Sequence, residues 1–399
     1  WSSDVCSSDL GTSSHAEGKT TLTIGSCSHT EGELTVAWTD YSHAEGFSTY
    51  TFDSGVVGVD GKYAHTEGGA TSACGAASHA EGYRTAASGN YSHAEGYQTI
   101  ASGTYSHAEG YSTYTFDLGS LGQQGFYAHV EGKETSACGD GSHAEGYQTA
   151  ASGSYSHAEG YQTIASGHIS HAEGIATQAT NDFSHAEGNG TTASGKYSHA
   201  EGGSTTASGD YSHAEGVGTI AAGSRSHTEG YLTYTFDLGS SGQHGAHAHT
   251  EGEETSACGD GSHAEGYQTA ASGSYSHAEG TNTIASGSYS HAEGINTIAS
   301  GSYSHAEGSE TFAYGETSHT EGSKTGTAMK GYIIYNASGG SFQLNSGYGD
   351  VSSLFAGGAA IAVYNNGLYR TYVVVSSIYS GGYTIIDVSD TTATGTQVA

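Results

Sequence analysis

The chain of 399 residues contains no proline, one methionine (Met329) and only nine basic side chains. Average composition would supply roughly 20 prolines over this length. Proline cannot donate to a β ladder, so its absence suits a chain whose backbone amides are committed to strands. No apolar run approaches the roughly 18 residues that a helical membrane span requires, which excludes membrane insertion of that kind. Nine Lys and Arg stand against 41 Asp and Glu, for a formal charge of −32 with His neutral. Phosphate recognition needs a cationic surface, so nucleic acid and anionic lipid are excluded as partners. Few charged residues (13%) and few hydrophobic ones (34%) would be compatible with disorder, but the order of the residues is not.

What is abundant is repetition. Ser-His-Ala-Glu-Gly or a close variant recurs from His15 to His319, and the His-x-Glu-Gly core appears 21 times. Successive histidines are 14 residues apart, except after His43, His107 and His227, where the step is 22. Each exception is one period plus eight residues. A full unit reads Ser142-His-Ala-Glu-Gly-Tyr-Gln-Thr-Ala-Ala-Ser-Gly-Ser-Tyr155.

Fourteen residues hold two short strands and two tight turns. Side chains alternate along a strand, so Ser142, Ala144 and Gly146 share one face and His143 and Glu145 the other. In the second strand Thr149, Ala151 and Gly153 have the small-residue parity. Two strands offering only Ser, Thr, Ala and Gly close around a narrow interior, with Gly also serving the turns. The predicted fold is therefore all-β, a parallel β-roll solenoid of about 21 coils. Helices are excluded, because recurring Gly and Ser would cost about 0.5–1 kcal/mol each with no 3.6-residue apolar stripe in return. Six- and nine-residue solenoid repeats do not fit a period of 14.

The pattern Ser-x-Ala-x-Gly, x-x-Thr-x-Ala-x-Gly, x-x-Ser resembles the head repeat of YadA-type trimeric adhesins, and repeated Ser-His-Ala-Glu-Gly resembles the shafts of bacteriophage tail fibres. The resemblance covers about residues 11–325. It implies a left-handed roll assembled as a homotrimeric rod, with the outward face of the first strand at the trimer axis. Related heads carry Val and Ile there. This chain instead carries the rows His93, Glu95, His107, Glu109, His143, Glu145, His157, Glu159, His213, Glu215, His277, Glu279 and their equivalents. A buried carboxylate needs a donor, so the expectation is that His of one chain hydrogen-bonds Glu of a neighbour.

Three domains are expected. Residues 1–10 read as a non-native, artefactual segment. Residues 11–325 form the repeat shaft, with insertions near 50–61, 114–125 and 234–245. Residues 326–399 form a small, truncated C-terminal β domain, with strands at Tyr332–Tyr335, Ala360–Tyr364, Arg370–Val375 and Tyr383–Val388. Asn366-Gly367 is the hairpin signal between two of them. The insertions follow Thr-Tyr-Thr-Phe-Asp, which makes Tyr50, Phe52, Tyr114, Phe116, Tyr234 and Phe236 candidate contact loops. The simpler account is a duplicated cassette.

Cys74, Cys138 and Cys258 occupy one outward position, four and eight coils apart, or roughly 19 and 38 Å at about 4.8 Å per coil. That is far beyond disulfide reach, so they read as free thiols replacing Ser. Twenty-one equivalent His/Glu pairs lack the asymmetry of an active site, so no catalytic residue, cofactor or metal is assigned. His247-Ala-His249 is a rival metal pair, but its sister cassettes carry Tyr63 and Tyr127 where His247 stands, which favours drift in a turn. An ice-binding surface would need the Thr rows exposed, and Thr99, Thr149 and Thr163 have inward parity. The function expected is a non-enzymatic fibre shaft, extracellular or virion-borne, from a phage or phage-like tail fibre that presents receptor-binding parts to a cell-surface receptor or glycan. The alternative is a bacterial trimeric surface adhesin or extracellular filament protein.

Overall fold

A computed structural model describes residues 8–52, 61–115, 125–235, 245–327, 334–338, 341–344, 360–365, 368–380 and 383–390. Every element among them is a β-strand. The chain divides into two compact units, Trp1–Ser208 and Gly209–Ala399. The first holds thirteen His-led first strands, His15–Lys19 to His199–Gly203, and the second holds eight, from His213–Ala214 to His319–Ser323. Both are parallel β-solenoids of 14-residue coils, as the period predicts.

Register is one coil to the next without slippage. His79, Ala80, Glu81, Gly82 and Tyr83 pair with His93, Ala94, Glu95, Gly96 and Tyr97. The short second strands pair likewise, Ala86–Ala87 with Ile100–Ala101. The insertions leave this register intact, since His43 pairs with His65 and Tyr50 with Ser72. A one-residue slip would turn every inward methyl outward, so the buried face enforces the pairing.

The interior is as narrow as its side chains. In the coil of His143, Ser142, Ala144, Thr149, Ala151 and Gly153 are buried. Ser142 Oγ donates to the Gly139 carbonyl at 2.6 Å, closing the turn before the first strand. Gly153 is required by approach, because a Cβ there would strike the Gly167 carbonyl oxygen of the next coil.

Two expectations about the coil are corrected. Gly146 does not share the inward face with Ser142 and Ala144. It is exposed, at φ +110°, because the strand turns there and alternation ends. Most corners are not glycine turns either, although Gly141, Gly190, Gly218 and Gly261 stand at four of them. The usual corners sit at residues such as Gln148 (φ 54°) and Tyr155 (φ 56°), in the left-handed region. That conformation costs an ordinary residue about 1–2 kcal/mol. It is held by bonds between coils, Gln148 N–H to the Lys133 carbonyl at 2.9 Å and Tyr155 N–H to the Asp140 carbonyl at 2.8 Å.

Ser8–Asp9, inside the segment set aside as non-native, pair in parallel with Leu22–Thr23 and extend the ladder. In the second unit a five-stranded antiparallel sheet follows the coils, in the order Ile334–Ser338, Ser341–Leu344, Tyr383–Asp390, Leu368–Ser380, Ala360–Asn365. Asn365 pairs with Leu368, so two residues separate the arms, where Asn366-Gly367 signals a hairpin. The strand Ser341–Leu344 has no counterpart in the sequence reading. Its four residues, SFQL, are too few to show alternation.

Candidate functional site: the histidine and glutamate face

The first strand fixes the outward face of every coil. Two residues before each His lies a left-handed corner, and in all but the coils of His213 and His227 the strand ends two residues after the Glu. Read across the coil of His93, the face presents Tyr91, His93, Glu95 and Tyr97, and each stacks on its equivalent in the next coil. Tyr91 and Tyr105 lie 4.9 Å apart at 4°, His93 and His107 4.9 Å apart at 4°, and Tyr97 and Tyr111 5.0 Å apart at 3°. In the first unit the imidazole stack runs unbroken from His29 to His199. In the second it runs from His213 to His305.

Most imidazoles turn Nε2 toward the carboxylate of their own strand, while His227 Nε2 lies 3.8 Å from Glu215 of the preceding coil. The separations are 3.7 Å for His93–Glu95 and His107–Glu109, 3.8 Å for His143–Glu145 and 3.5 Å for His157–Glu159. In the second unit they are 3.9 Å for both His213–Glu215 and His277–Glu279. These are longer than hydrogen bonds. The His side of the expected contact between chains thus already faces a Glu within its own chain, which the two-residue spacing allowed but did not reveal.

Burial and neighbouring imidazoles lower the pKa of twelve of these histidines, among them His79, His93, His107 and His143. The adjacent carboxylates oppose that shift without cancelling it, so these rings are neutral at pH 7. Three glutamates of the row respond in the other sense, while Glu229 is lowered through its hydrogen bond with Glu215. Burial and then the carboxyls of Glu109 and Glu81 push Glu95 up to about 7, and Glu187 and Glu251 are raised by their Glu neighbours.

The insertion aromatics are placed differently from expectation. Tyr50, Tyr114 and Tyr234 are not in projecting loops. They open the second strands Tyr50–Thr51, Tyr114–Thr115 and Tyr234–Thr235, within the ladder. Phe52 follows the strand and is exposed, while Phe116 and Phe236 lie outside the described residues. Cys74, Cys138 and Cys258 are free thiols, but Cys74 and Cys258 are buried despite their outward parity. The chain returning from an insertion packs there, with Gly245 N–H bonded to the Cys258 carbonyl at 3.1 Å. Burial pushes the Cys74 thiol up to about 11. His247 is a corner residue at φ 59°, the place of Tyr63 and Tyr127. Thr99, Thr149 and Thr163 are buried, so they present no Thr surface.

Sequence reasoning missed the corner stack of aromatics. Tyr recurs before Ser-His, which was visible, but strand alternation gives no reason to expect it in a left-handed turn. It also missed Lys133, whose Nζ lies 5.7 Å from the Tyr111 ring and 5.2 Å from the Tyr147 ring, a cation between two aromatic faces.

A uniform parallel solenoid with an in-register outer face defines a structural repeat protein. The particular repeat is identified by comparison. The chain carries YadA head domain repeats, whose family model matches residues 80–106, 200–226, 264–290, 278–304 and 292–315. The matched segments are thus similar to the head repeats of an adhesin family. No curated protein matches the chain.

Proposed function

We propose that the chain is the shaft of a homotrimeric extracellular fibre, of the kind carried by a phage or phage-like tail fibre, which presents receptor-binding parts away from its anchor. The observation that carries this reading is the regularity of the outer face, since the His and Glu of each first strand repeat in register from coil to coil, as His79 and Glu81 do with His93 and Glu95, and His93 and Glu95 with His107 and Glu109. A rigid spacer needs such regularity, whereas an enzyme needs one asymmetric constellation.

Energetics favour assembly. Each coil buries mostly methyl-sized groups, worth on the order of 0.8 kcal/mol per carbon, against about 1–2 kcal/mol of backbone entropy per residue. An intersubunit face supplies what the coils lack. In this reading the first-strand face, with His93/Glu95, His143/Glu145 and His277/Glu279, lies at the trimer axis, and the flanking tyrosines supply apolar contact. Tyr50 and Phe52, both exposed, are the contact candidates for a receptor or glycan.

Sedimentation equilibrium tests the assembly: a trimeric mass is expected, and a stable folded monomer would overturn it. Replacing His143, Glu145 and their equivalents over several coils by Ala should weaken trimers, while Val and Ile should be tolerated. A second reading, a bacterial trimeric surface adhesin, is favoured by the YadA head match. Neighbouring tail or baseplate genes would select the first reading, and a secretion system the second.

A further inference from the structure

The His/Glu face holds a feature that a structural row does not require. Among the described residues ten clusters of potential ligands occur, and in at least five of them one nitrogen from each of two histidines on successive coils and one oxygen of the intervening glutamate lie within 4.8 Å of one another. These five are His43/Glu45/His65, His65/Glu67/His79, His79/Glu81/His93, His93/Glu95/His107 and His157/Glu159/His171. In each, the Nε2 atoms are shielded from solvent and make no hydrogen bond. Buried nitrogens normally find a partner. The carboxylates beside them are crowded by their own kind, in a chain with few cations to offer.

We propose that this face is a linear array of sites for a borderline divalent transition-metal ion, Zn²⁺ being the type case, each ion held by two histidines of successive coils and the glutamate between them. Two imidazole nitrogens and one carboxylate oxygen suit Zn²⁺, Co²⁺ or Ni²⁺, with a fourth position left for water. Ca²⁺ and Mg²⁺ prefer shells of oxygen and are not served by this set. Each Nε2 that makes no hydrogen bond offers its lone pair to a metal.

The fit can be tested on distances. Metal–ligand bonds of about 2.0–2.2 Å place the ligands of a tetrahedral ion about 3.3–3.6 Å apart. His79 Nε2 and Glu81 Oε2 are already 3.6 Å apart. The His79 and His93 rings, stacked at 4.7 Å, must close by roughly 1 Å through ring rotation. Such rotation is open to this row, since His305 and His319 stand at 84° to each other at 4.8 Å. Adjacent groups share a histidine, so they cannot all fill together. Alternate gaps fill, so the five named groups hold three ions, for example at His43/His65, His79/His93 and His157/His171. This inference does not depend on the fibre reading.

The experiment is titration of the full chain, first stripped with chelator, with CoCl₂ followed by visible absorption and with ZnCl₂ by calorimetry. The expected result is a four-coordinate Co²⁺ spectrum, displaced by Zn²⁺, saturating at three or more ions per chain, with no uptake of CaCl₂ or MgCl₂. Replacing His79, His93 and His107 by Gln should lower the stoichiometry by at least one ion, and His168→Gln with His247→Gln should leave it unchanged. A wild-type chain that gives no four-coordinate spectrum, or that saturates at one ion or fewer, overturns the proposal. So does binding that is lost with His247→Gln, which would place the ion at His247-Ala-His249. If the triple variant does not fold, the wild-type spectrum and stoichiometry decide alone.

Discussion

Replacing Gly146 by Ala tests whether the close approach of successive coils dictates the glycines. Gly146 lies at φ +110°, and a Cβ there would run into the Gly160 carbonyl oxygen, with Gly160 N and C both at 3.0 Å. Forcing an L side chain into that conformation costs about 1–3 kcal/mol. Relieving the overlap separates two coils, and the loss of two ladder hydrogen bonds adds about 1 kcal/mol each. The expected local destabilisation is therefore about 3–5 kcal/mol. Gly190 is the matched control, at a corner with φ +67° and its nearest obstacle, Ser204 Oγ, at 3.8 Å. Gln148 and Gln162 occupy the same corner position at φ 54° and 56°. Gly190→Gln trades left-handed strain against the lower unfolded-state entropy of a non-glycine residue and should stay within about 1 kcal/mol. Because each coil of a solenoid contacts its neighbours only, opening is local. Hydrogen exchange of peptides around Gly146 and Gly190, supported by urea denaturation, is the assay. A Gly146→Ala chain with unchanged protection, or a Gly190→Gln chain damaged as badly, would refute the reasoning.

Three further outcomes follow from the same geometry. Removing the eight residues 53–60 should leave the ladder in register by circular dichroism and mass, because Gly61 is buried, accepts Thr39 Oγ1 at 2.6 Å and stands where Gly153 stands in a regular coil; loss of folding would make the insertion part of the scaffold. Ser142→Ala should cost only about 1 kcal/mol in urea denaturation, since Ser142 N–H still donates to the Gly139 carbonyl at 3.1 Å and Ala64, Ala128 and Ala248 stand at this position after the insertions; a loss above about 3 kcal/mol contradicts it. Stability should fall as pH drops below the unfolded histidine value of 6.5 and through the lowered folded values, because the unfolded chain then binds more protons. Glu95, raised to about 7, acts oppositely, its contribution complete below 4.5 and lost as pH rises through 7. With twelve lowered histidines against three raised glutamates, the histidine trend should dominate a melting series from pH 8 to 5, and a flat series would contradict it.

The sequence displayed the coil but not its corners. The period of 14 and the parity of Ser142, Ala144, Thr149, Ala151 and Gly153 sufficed for the solenoid, because burial of methyl-sized groups on one face is a pattern of types and spacing. The left-handed conformations of Gln148 and Tyr155 were not legible. Local propensity argues against them, and only hydrogen bonds from the preceding coil hold them. For the same reason Gly146 was assigned inward, since alternation assumes an extended strand up to its last residue. The His/Glu face was legible as a shared face from the two-residue spacing, but the direction of each ring was not.

In-register pairing forces every residue to stack on its own kind, and side chains differ in how they bear it. Aromatic rings gain from it, as Tyr91 on Tyr105 and His79 on His93 show. Amides gain too, since Gln162 Nε2 donates to Gln148 Oε1 at 3.0 Å and Gln148 Nε2 to Glu134 Oε2 at 2.8 Å. Carboxylates lose, because neighbours at one coil spacing repel. Lys19 answers Glu33 at 2.8 Å, but much of the long Glu row faces imidazoles, such as His79 and His93, that burial and neighbouring imidazoles keep neutral. A proton shared along the row, as the raised value of Glu95 implies, relieves part of this repulsion. A divalent cation would relieve more, and would engage the unpartnered Nε2 atoms at the same time.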